Sequence, residues 1–183
     1  MEKPGFGVLL GSYKGVEGYS NRKAGWGAGA NFINGHFTGY KYQCVEYARR
    51  WLILAKQLTF QEISCACHIW DLDKVIDINT NNELPLIGIS NGSSVPPVAD
   101  ALLIYSRGLK VPWGHVAIIT EVNLHHNYIR IAEQNEEDRH WPGNFARQLK
   151  LEVVNGKYFI RDKYSIIGWM VYENLENYLG SSQ

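Results

Sequence analysis

The sequence has few cysteines and no excess of charge of either sign. Three cysteines in 183 residues are too few, and odd in number, for a disulfide framework. Lys and Arg together number 18, as do Asp and Glu, which gives no electrostatic reason to expect binding to nucleic acid or to an anionic membrane. Apolar runs are only a few residues long, far short of the roughly 20 residues that span a bilayer. The sequence therefore argues against a disulfide scaffold, a nucleic-acid-binding protein and a membrane protein.

The N-terminal residues do not have the pattern of a secretory signal, and none is expected. It reads M-E-K-P-G-F-G-V-L-L-G, with neither an adequate apolar segment nor a cleavage signature. We therefore expect a cytoplasmic location, where a reducing environment would keep thiols free. A chain of 183 residues that is 45% hydrophobic can build one core, so we expect residues 1–183 to form a single domain.

The first half of the chain changes character at residue 43. Residues 5–40 are rich in Gly, Asn, Ser and Tyr and predict loops with short extended pieces, and the glycine-rich stretch 24–30 lacks the Gly-Lys-Ser/Thr ending of a phosphate loop. Helical spacing follows, in an apolar stripe of Cys44, Tyr47, Ala48, Trp51, Leu52 and Ala55. Glu46 and Arg50, four residues apart on another face, are expected to pair weakly.

The second half predicts strands. A second helix is expected at about 60–72, and residues 81–98 are expected to be mostly loop. The β-rich runs that follow are 101–105, 115–122, 128–135, 148–154, 157–161 and 166–172. Helices followed by a run of strands predict an α+β fold, with N-terminal helices packed on an antiparallel sheet.

Cys44 and His115 are the candidate nucleophile and base. Cys44 lies in the first turn of the predicted helix, where the helix dipole favours a thiolate; a small buried core residue is the alternative interpretation. His115 begins a strand after Pro112-Trp113-Gly114, and Gly114 would let another group approach closely. A histidine beside a thiolate can take up its proton and later protonate a leaving group.

A third candidate follows from the hairpin formed by strands 115–122 and 128–135. Facing residues of an antiparallel pair have a constant sum of numbers, and a turn centred on residue 124 or 125 makes that sum 248 or 250. His115 would then face Glu133 or Asn135, and all three side chains would share one face. Glu133 could hold the imidazole in its useful tautomer, although a slip of one residue would place it on the other face.

The order Cys, His, acid resembles the papain-like CHAP and NlpC/P60 amidases. The segments G-Y-K-Y-Q-C-V-E-Y-A-R-R, W-G-H-V-A-I-I-T, I-R-I-A-E-Q-N and I-I-G-W-M resemble, in that order, the amidase domain of glutathionylspermidine synthetase/amidase and trypanothione synthetase. The resemblance runs from about residue 6 to residue 172. Such enzymes carry an ATP-dependent ligase domain after the amidase, which has no counterpart in these 183 residues, so the synthetase activity is not carried over.

The resemblance implies thiol-dependent hydrolysis of the amide between glutathione and a polyamine, without a metal or cofactor. It implies that Cys44 is the nucleophile, His115 the base and acid, and Glu133 the residue that orients the histidine. It also places Gln43, Arg49 and Asn135 at positions for oxyanion stabilisation and substrate contacts. Cleavage of peptidoglycan by a member of the same superfamily and a catalytically inactive binding module are the alternatives.

Three further features stay open at this point. Cys65-Ala-Cys67-His68 resembles part of a metal site but has no fourth ligand at a recognisable spacing, and buried packing on a helical stripe is favoured. The acidic run 136–138 is either a solvated loop or a region that attracts a polyamine. Several aromatic residues are equally suited to the core and to the wall of a cleft, namely Trp26, Tyr40, Tyr42, Trp113 and Trp141.

Overall fold

The computed structural model describes residues 2–22 and 28–172, and β-structure dominates them. One α-helix, α1, spans Cys44–Lys56, and a 3-10 helix spans Ala66–Asp71. The strands are β1 (Leu9–Tyr13), β2 (Val16–Tyr19), β3 (Ala30–Ile33), β4 (His36–Tyr40), β5 (Leu58–Thr59), β6 (Lys74–Asp77), β7 (Glu83–Pro85), β8 (Ile87–Ser90), β9 (Leu102–Tyr105), β10 (His115–Asn123), β11 (Tyr128–Ala132), β12 (Arg147–Val154), β13 (Lys157–Arg161) and β14 (Ile166–Val171).

A seven-stranded antiparallel sheet is the largest element of the fold. Its strand order is β13-β12-β11-β10-β9-β14-β8, and every neighbouring pair is antiparallel. The six predicted strands of the second half are all present in it. Three small sheets, β1-β2, β3-β4 and β5-β6-β7, accompany it. The expected antiparallel sheet is therefore confirmed.

One expectation for the remaining segments is wrong, whereas two hold in outline: residues 81–98 are mostly loop apart from two short strands, and the described part of 5–40 contains the expected short extended pieces. The region 60–72 forms only the short 3-10 helix, so one α-helix, and not several, packs on the sheet in the part of the chain described. Residues 81–98 contribute strands β7 and β8, and the described part of 5–40 forms two hairpins. Their turns contain Lys14-Gly15 and Asn34-Gly35, all with positive φ. The Gly and Asn residues that suggested loops thus supply hairpin turns, for which left-handed backbone is required.

The apolar stripe of α1 packs against one face of the large sheet. Tyr47, Ala48, Trp51 and Leu52 are fully buried there, in a cluster to which the sheet contributes Leu102, Ile104, Val116, Ile118 and Met170. The helical period of 3.6 places the stripe on one side of the helix, as the sequence predicted. The helix ends at Gln57, whose backbone is left-handed and whose N–H donates to the carbonyl of Ile53.

The opposite face of the same sheet is buried as well. Residues of the other parity, among them Leu103, Ala117, Ile119, Ile131 and Trp169, form a second apolar cluster. Burial on both faces explains why β9 and β10 read as nearly continuous apolar runs instead of alternating ones. The central strands are consequently enclosed on both sides, which makes them a rigid support for side chains at their ends.

Glu46 and Arg50, which were expected to pair weakly, form a buried ion pair. Arg50 Nε lies 2.6 Å from Glu46 Oε1, and the two side chains are 6% and 0% exposed. Glu46 also accepts hydrogen bonds from Asn31 and Gln134, and Arg50 donates to the carbonyl of Glu17. The expected pairing at helical spacing is confirmed, and the β1-β2 and β3-β4 hairpins contact this face of the helix, so the pair is buried.

Among the described residues, no helix combines the length and the apolar composition that crossing a bilayer requires.

We expect Glu46→Ala to lower the free energy of unfolding by about 3 kcal/mol or more, since it leaves the Arg50 charge buried without its partner. Urea unfolding of both proteins measures the difference. Glu83→Ala is the matched control, because Glu83 pairs with Lys74 on the surface, and there the loss should stay below about 1 kcal/mol. Equal losses for the two variants would contradict a buried, structural role of Glu46.

Candidate active site

Cys44 is the first residue of α1. Gln43, the residue before it, is extended with ψ 161°, and its side chain does not cap the helix. The N–H groups of the first turn therefore have no helical partner and present their positive ends around the sulfur. The thiol belongs to the apolar cluster under the helix but also lines a cleft, so it is buried and reachable at one point.

His115 is the first residue of β10, and its position depends on Gly114. Gly114 has φ +68°, and a Cβ at this position would lie 2.7 Å from the carbonyl oxygen of Tyr105 and 2.8 Å from Cys67 Cβ. Only glycine fits both the backbone conformation and the space. The ring of Tyr105 meets the imidazole edge-on at 5.3 Å. The expected close approach at Gly114 is thus confirmed, and it fixes the start of the strand.

Near the site, the numbers of facing residues in the β10-β11 hairpin add up to the predicted 250, but only because of a β-bulge. Next to the turn, Asn123 faces Tyr128 and Val122 faces Ile129, a sum of 251. A shift between Ile119 and Glu121 changes the sum to 250, where Ile118 faces Ala132. An odd sum would have placed His115 and Glu133 on opposite faces, so the extra residue of the bulge is what puts them on the same face.

Glu133 follows directly after β11 and accepts a hydrogen bond from the His115 ring. Glu133 Oε2 lies 2.8 Å from Nε2 of His115, and both side chains are 3% exposed. In the register of 250 Glu133 is the diagonal neighbour of His115, a position within reach of a glutamate side chain. Because Nε2 is engaged in this way, Nδ1 is the nitrogen left for the Cys44 thiol.

The electrostatics of the three groups favour an ion pair between Cys44 and His115. Burial alone would raise the pKa of the Cys44 thiol, but the charge and hydrogen bond of His115, with the N–H groups of Val116 and Val45, lower it below its usual value. Burial alone would lower the pKa of His115, but Cys44 and Glu133 raise it instead. Thiolate and imidazolium therefore stabilise each other, as a cysteine hydrolase requires.

Arg147 and Asp162 extend this chain of charges beyond the residues that the sequence suggested. Arg147 donates to Glu133 through Nε and, at 3.2 Å, through Nη2. Its Nη1 lies 2.9 Å from Oδ1 of Asp162, and Asp162 Oδ2 accepts from the hydroxyl of Tyr105 at 2.9 Å. Arg147 faces Ile131 in the pairing of β11 with β12 and therefore lies on the same side of the sheet as Glu133. The sequence does not predict this pairing, because the long loop 133–146 leaves the register of β12 undetermined.

The two residues after Glu133 connect the site to the start of α1. Gln134 donates to Glu46 at 2.9 Å and to the carbonyl of Gln43 at 3.3 Å. Asn135, which has φ +60°, donates from its side chain to Oε1 of Gln43 at 2.6 Å. The structure thus brings Gln43 and Asn135 together beside Cys44, and the end of β11 holds both the histidine and the helix start.

A cleft of about 190 Å³ leads to Cys44. Arg49 lines it and is 3% exposed, with Nη1 donating to the carbonyl of Thr38 and Nη2 to that of Gln61. Its guanidinium lies 4.6 Å from the centroid of the Phe60 ring. Arg49 is therefore a rigidly held positive charge at the cleft, on the helix that carries Cys44.

The candidate aromatic residues divide between cleft and core. Tyr40 and Trp113 line the cleft. Tyr42 packs against other aromatic rings at one side, and Trp141 packs on the β1-β2 hairpin and edge-on against Tyr47. Trp26 lies outside the described residues.

The acidic run 136–138 lies in a separate depression of about 290 Å³. Glu136 and Glu137 pair with Lys163 at 2.5 and 3.1 Å, and Asp138 accepts hydrogen bonds from Ser20 and the backbone of Asn21. These contacts offset part of the negative charge. Attraction of a polyamine to this run stays a prediction.

Comparison of the sequence with known proteins shows the family to which the chain belongs. The model of the CHAP domain family matches residues 35–135, a stretch that includes Cys44, His115 and Glu133. The chain is 37% identical to trypanothione synthetase of Crithidia fasciculata over 188 aligned positions, which cover 97% of the chain and 28% of that protein. It is 40% identical over 147 positions to the bifunctional glutathionylspermidine synthetase/amidase of Escherichia coli, covering 77% of the chain and 23% of that protein.

A third relative, the glutathionylspermidine synthase of Crithidia fasciculata, is 30% identical over 138 positions. The chain spans less than a third of the length of each of these relatives. The family match ends before β12, so Arg147 and Asp162 lie outside it.

We expect Glu133→Gln to move the pH at which Cys44 is alkylated upward by about one unit or more. Removing the carboxylate charge lowers the pKa of His115, the imidazolium loses its proton sooner, and the thiolate loses its partner. The measurement is the rate of iodoacetamide modification of Cys44 against pH, followed by peptide mass spectrometry so that the other two cysteines do not interfere.

Glu121→Gln serves as control, since Glu121 lies on the same hairpin but pairs with the surface residue Arg130. Its alkylation profile should overlie that of the wild type. If Glu133→Gln also leaves the profile in place, Glu133 does not support the imidazolium.

Proposed function

Because the chain belongs to the CHAP domain family, we propose that it is a cysteine amidase that hydrolyses the amide bond of glutathionylspermidine or a similar glutathione–polyamine conjugate. The products are glutathione and the free polyamine. One observation carries the proposal above all: the Cys44 thiol, the His115 imidazole and the Glu133 carboxylate form one buried chain, and Cys44 lines a cleft. The relatives named for glutathionylspermidine support the choice of substrate.

The reaction begins with attack of the Cys44 thiolate on the amide carbon. The oxyanion that forms lies at the start of α1, where the backbone N–H of Cys44 has no helical partner and can donate to it. We assign the second donor to the Gln43 side chain, whose oxygen is occupied by Asn135, so that its Nε2 group remains for the substrate.

His115 then completes both half-reactions. As imidazolium it protonates the departing amine, which leaves a thioester on Cys44. The neutral ring next accepts a proton from water, which attacks the thioester and releases the acid. Glu133 keeps Nε2 engaged through both steps, so that Nδ1 faces the reacting atoms throughout.

Substrate recognition follows from the charges of the cleft. We propose that Arg49 attracts a carboxylate of the glutathione half, because it is a fixed cation on the cleft wall. The exposed Glu62 lines the same cleft and supplies negative charge suited to the polyamine half. Asn135 is assigned a supporting role, since it positions Gln43.

The remaining parts of the proposal concern fold and setting. We propose a papain-like arrangement with residues 1–183 forming one CHAP-type domain, supported by the packing of the nucleophile helix on an antiparallel sheet that carries histidine and acid. We also propose a cytoplasmic location, because a reducing compartment keeps the nucleophilic thiol free.

Incubation of the purified protein with glutathionylspermidine should release free spermidine, and Cys44→Ala should abolish the release. Purified muropeptides form the parallel arm, which tests the peptidoglycan activity known from related superfamily members. Amine release by Cys44→Ala at the wild-type rate would refute the assignment of the nucleophile. Cleavage of muropeptides without cleavage of the conjugate would refute the assignment of the substrate.

Gln43→Ala should lower kcat by about 100-fold with little change in KM, because it removes one donor that acts on the oxyanion and not on the bound substrate. Steady-state kinetics with the conjugate measure both constants. Gln148→Ala, at an exposed position of β12, is the control and should leave both unchanged. A rise in KM at unchanged kcat would assign Gln43 to substrate binding instead.

A further inference from the structure

Cys65 and Cys67 form a pair of thiols that the amidase mechanism does not use. Their sulfurs lie 3.3 Å apart, at the start of the 3-10 helix. Both are free. The expectation of buried packing on a helical stripe is met only in part, because Cys65 is buried but Cys67 is half-buried and the segment is not an α-helix. A disulfide bond is about 2.05 Å long, so the two sulfurs need to approach by roughly 1.2 Å to form one.

Arg107 donates hydrogen bonds to both sulfurs. Its Nη2 lies 3.0 Å from Cys65 Sγ, and its Nε lies 3.4 Å from Cys67 Sγ. A guanidinium in this position stabilises negative charge on sulfur. Burial alone would raise the pKa of Cys65, but the hydrogen bonds from Cys67 and Arg107 lower it. Cys65 is therefore the sulfur better suited to be a thiolate, with Cys67 as its hydrogen-bond donor.

A metal ion is the competing occupant of this cluster. Cys65, Cys67 and His68 each offer one donor atom, and these atoms lie within 4.8 Å of one another. However, Arg107 Nη2 also lies 3.4 Å from His68 Nε2, so one guanidinium lies against all three donors. A cation would have to displace this positive charge, whereas an anionic or neutral reactant would not. The arrangement therefore favours thiol–disulfide chemistry.

The pair can be reached from solvent. Cys65 lines the same cleft as Cys44, and Arg107 is exposed on the loop after β9. Cys65 is 5% exposed but lines the cleft, so a small disulfide in the cleft can contact it, and the positive charge of Arg107 would attract one that carries carboxylates.

We propose that Cys65 and Cys67 form a reversible intramolecular disulfide by exchange with a low-molecular-weight disulfide, Cys65 being the attacking thiol and Cys67 the resolving one. The Cys65 thiolate attacks one sulfur of the reagent, forms a mixed disulfide and releases one thiolate. The Cys67 thiolate then attacks Cys65 Sγ, closes the disulfide and releases the second thiolate. The two protein thiols lose two electrons and two protons, and the reagent is reduced to two thiols.

The test uses the full chain with Cys44→Ala, so that the catalytic thiol cannot react, and glutathione disulfide as the probe. Intact-mass spectrometry should show the loss of two hydrogens, reversed by dithiothreitol. With Cys67→Ser added, the protein should instead retain one glutathionyl group on Cys65. With Cys65→Ser added, the intramolecular product should be absent and modification of Cys67 at least about ten-fold slower.

Two outcomes overturn the proposal. One is a Cys44→Ala protein that keeps its reduced mass or takes up two glutathionyl groups, since the thiols would then be inert or independent. The other is stoichiometric Zn²⁺ binding, measured by chelator competition, that depends on both cysteines and prevents the disulfide. Should a serine variant fail to fold, differential alkylation and peptide mapping of Cys44→Ala alone still locate the Cys65–Cys67 linkage or show its absence.

The role of Arg107 is tested separately. In the Cys44→Ala background, Arg107→Gln should slow oxidation at neutral pH by about three-fold, because a rise of one unit in the pKa of the attacking thiol removes up to about ten-fold of the thiolate but makes the remainder about three-fold more nucleophilic. Arg161→Gln is the matched control, because Arg161 is exposed and pairs with Glu152 at the far edge of the sheet. Equal rates in all three proteins would show that Arg107 does not activate the pair. Neither result depends on which amide the protein hydrolyses.

Discussion

The His115 imidazole lies between two negatively charged groups in a place that water barely reaches. Cys44 approaches one nitrogen and Glu133 the other, and both side chains of the His115–Glu133 pair are almost fully buried. Desolvation by itself would keep all three groups neutral, so the charges can exist there only because they are arranged in alternating sign. Arg147 and Asp162 continue the alternation, and Glu133 is thereby compensated from both sides. The Cys44 thiolate is therefore stabilised by the whole series of alternating charges as far as Asp162, and not by His115 alone.

The fold supports this chain of charges at one point, the end of β11. Glu133, Gln134 and Asn135 are consecutive, and they bind the histidine, the buried ion pair of α1 and the residue before the nucleophile. Glu133 contacts the sheet residue His115, whereas Gln134 and Asn135 contact α1 and the residue before it, so this short segment serves both helix and sheet. The β-bulge in β10 decides which side receives Glu133. Helix, hairpin and bulge thus act together, and a change in any of them would separate the thiol from the ring.

Features of the fold and site that depend on neighbours in the sequence were predictable, whereas those that depend on contacts between distant segments were not. The stripe of α1 and six of the seven strands of the large sheet follow from local period, and the sequence predicts them. The sharing of one face by His115 and Glu133 was predicted from an assumed turn position, but it depends on the bulge in β10. The bulge, the pairing of Arg147 and the burial of Glu46 depend on a loop conformation and on hairpins that fold back from elsewhere, and no local pattern encodes them. The segment 60–72 misled for a related reason: its apolar residues have helical spacing, but Cys65 is extended and only one short 3-10 helix follows. Tertiary contacts outweigh propensity in such short pieces.

The same cleft holds two activated sulfurs, and the cation beside each one limits what it can do. Hydrolysis of an amide requires a proton for the departing amine, because an amine anion is too basic to leave. His115 can supply that proton and take one back from water, so Cys44 can complete the reaction. Arg107 keeps its protons at any physiological pH, so it stabilises a thiolate on Cys65 but cannot protonate a leaving group. A disulfide needs no such proton, because its leaving group is a thiolate that is stable in water. The pairing of one cysteine with histidine and the other with arginine therefore separates amide cleavage from disulfide exchange within a single cleft.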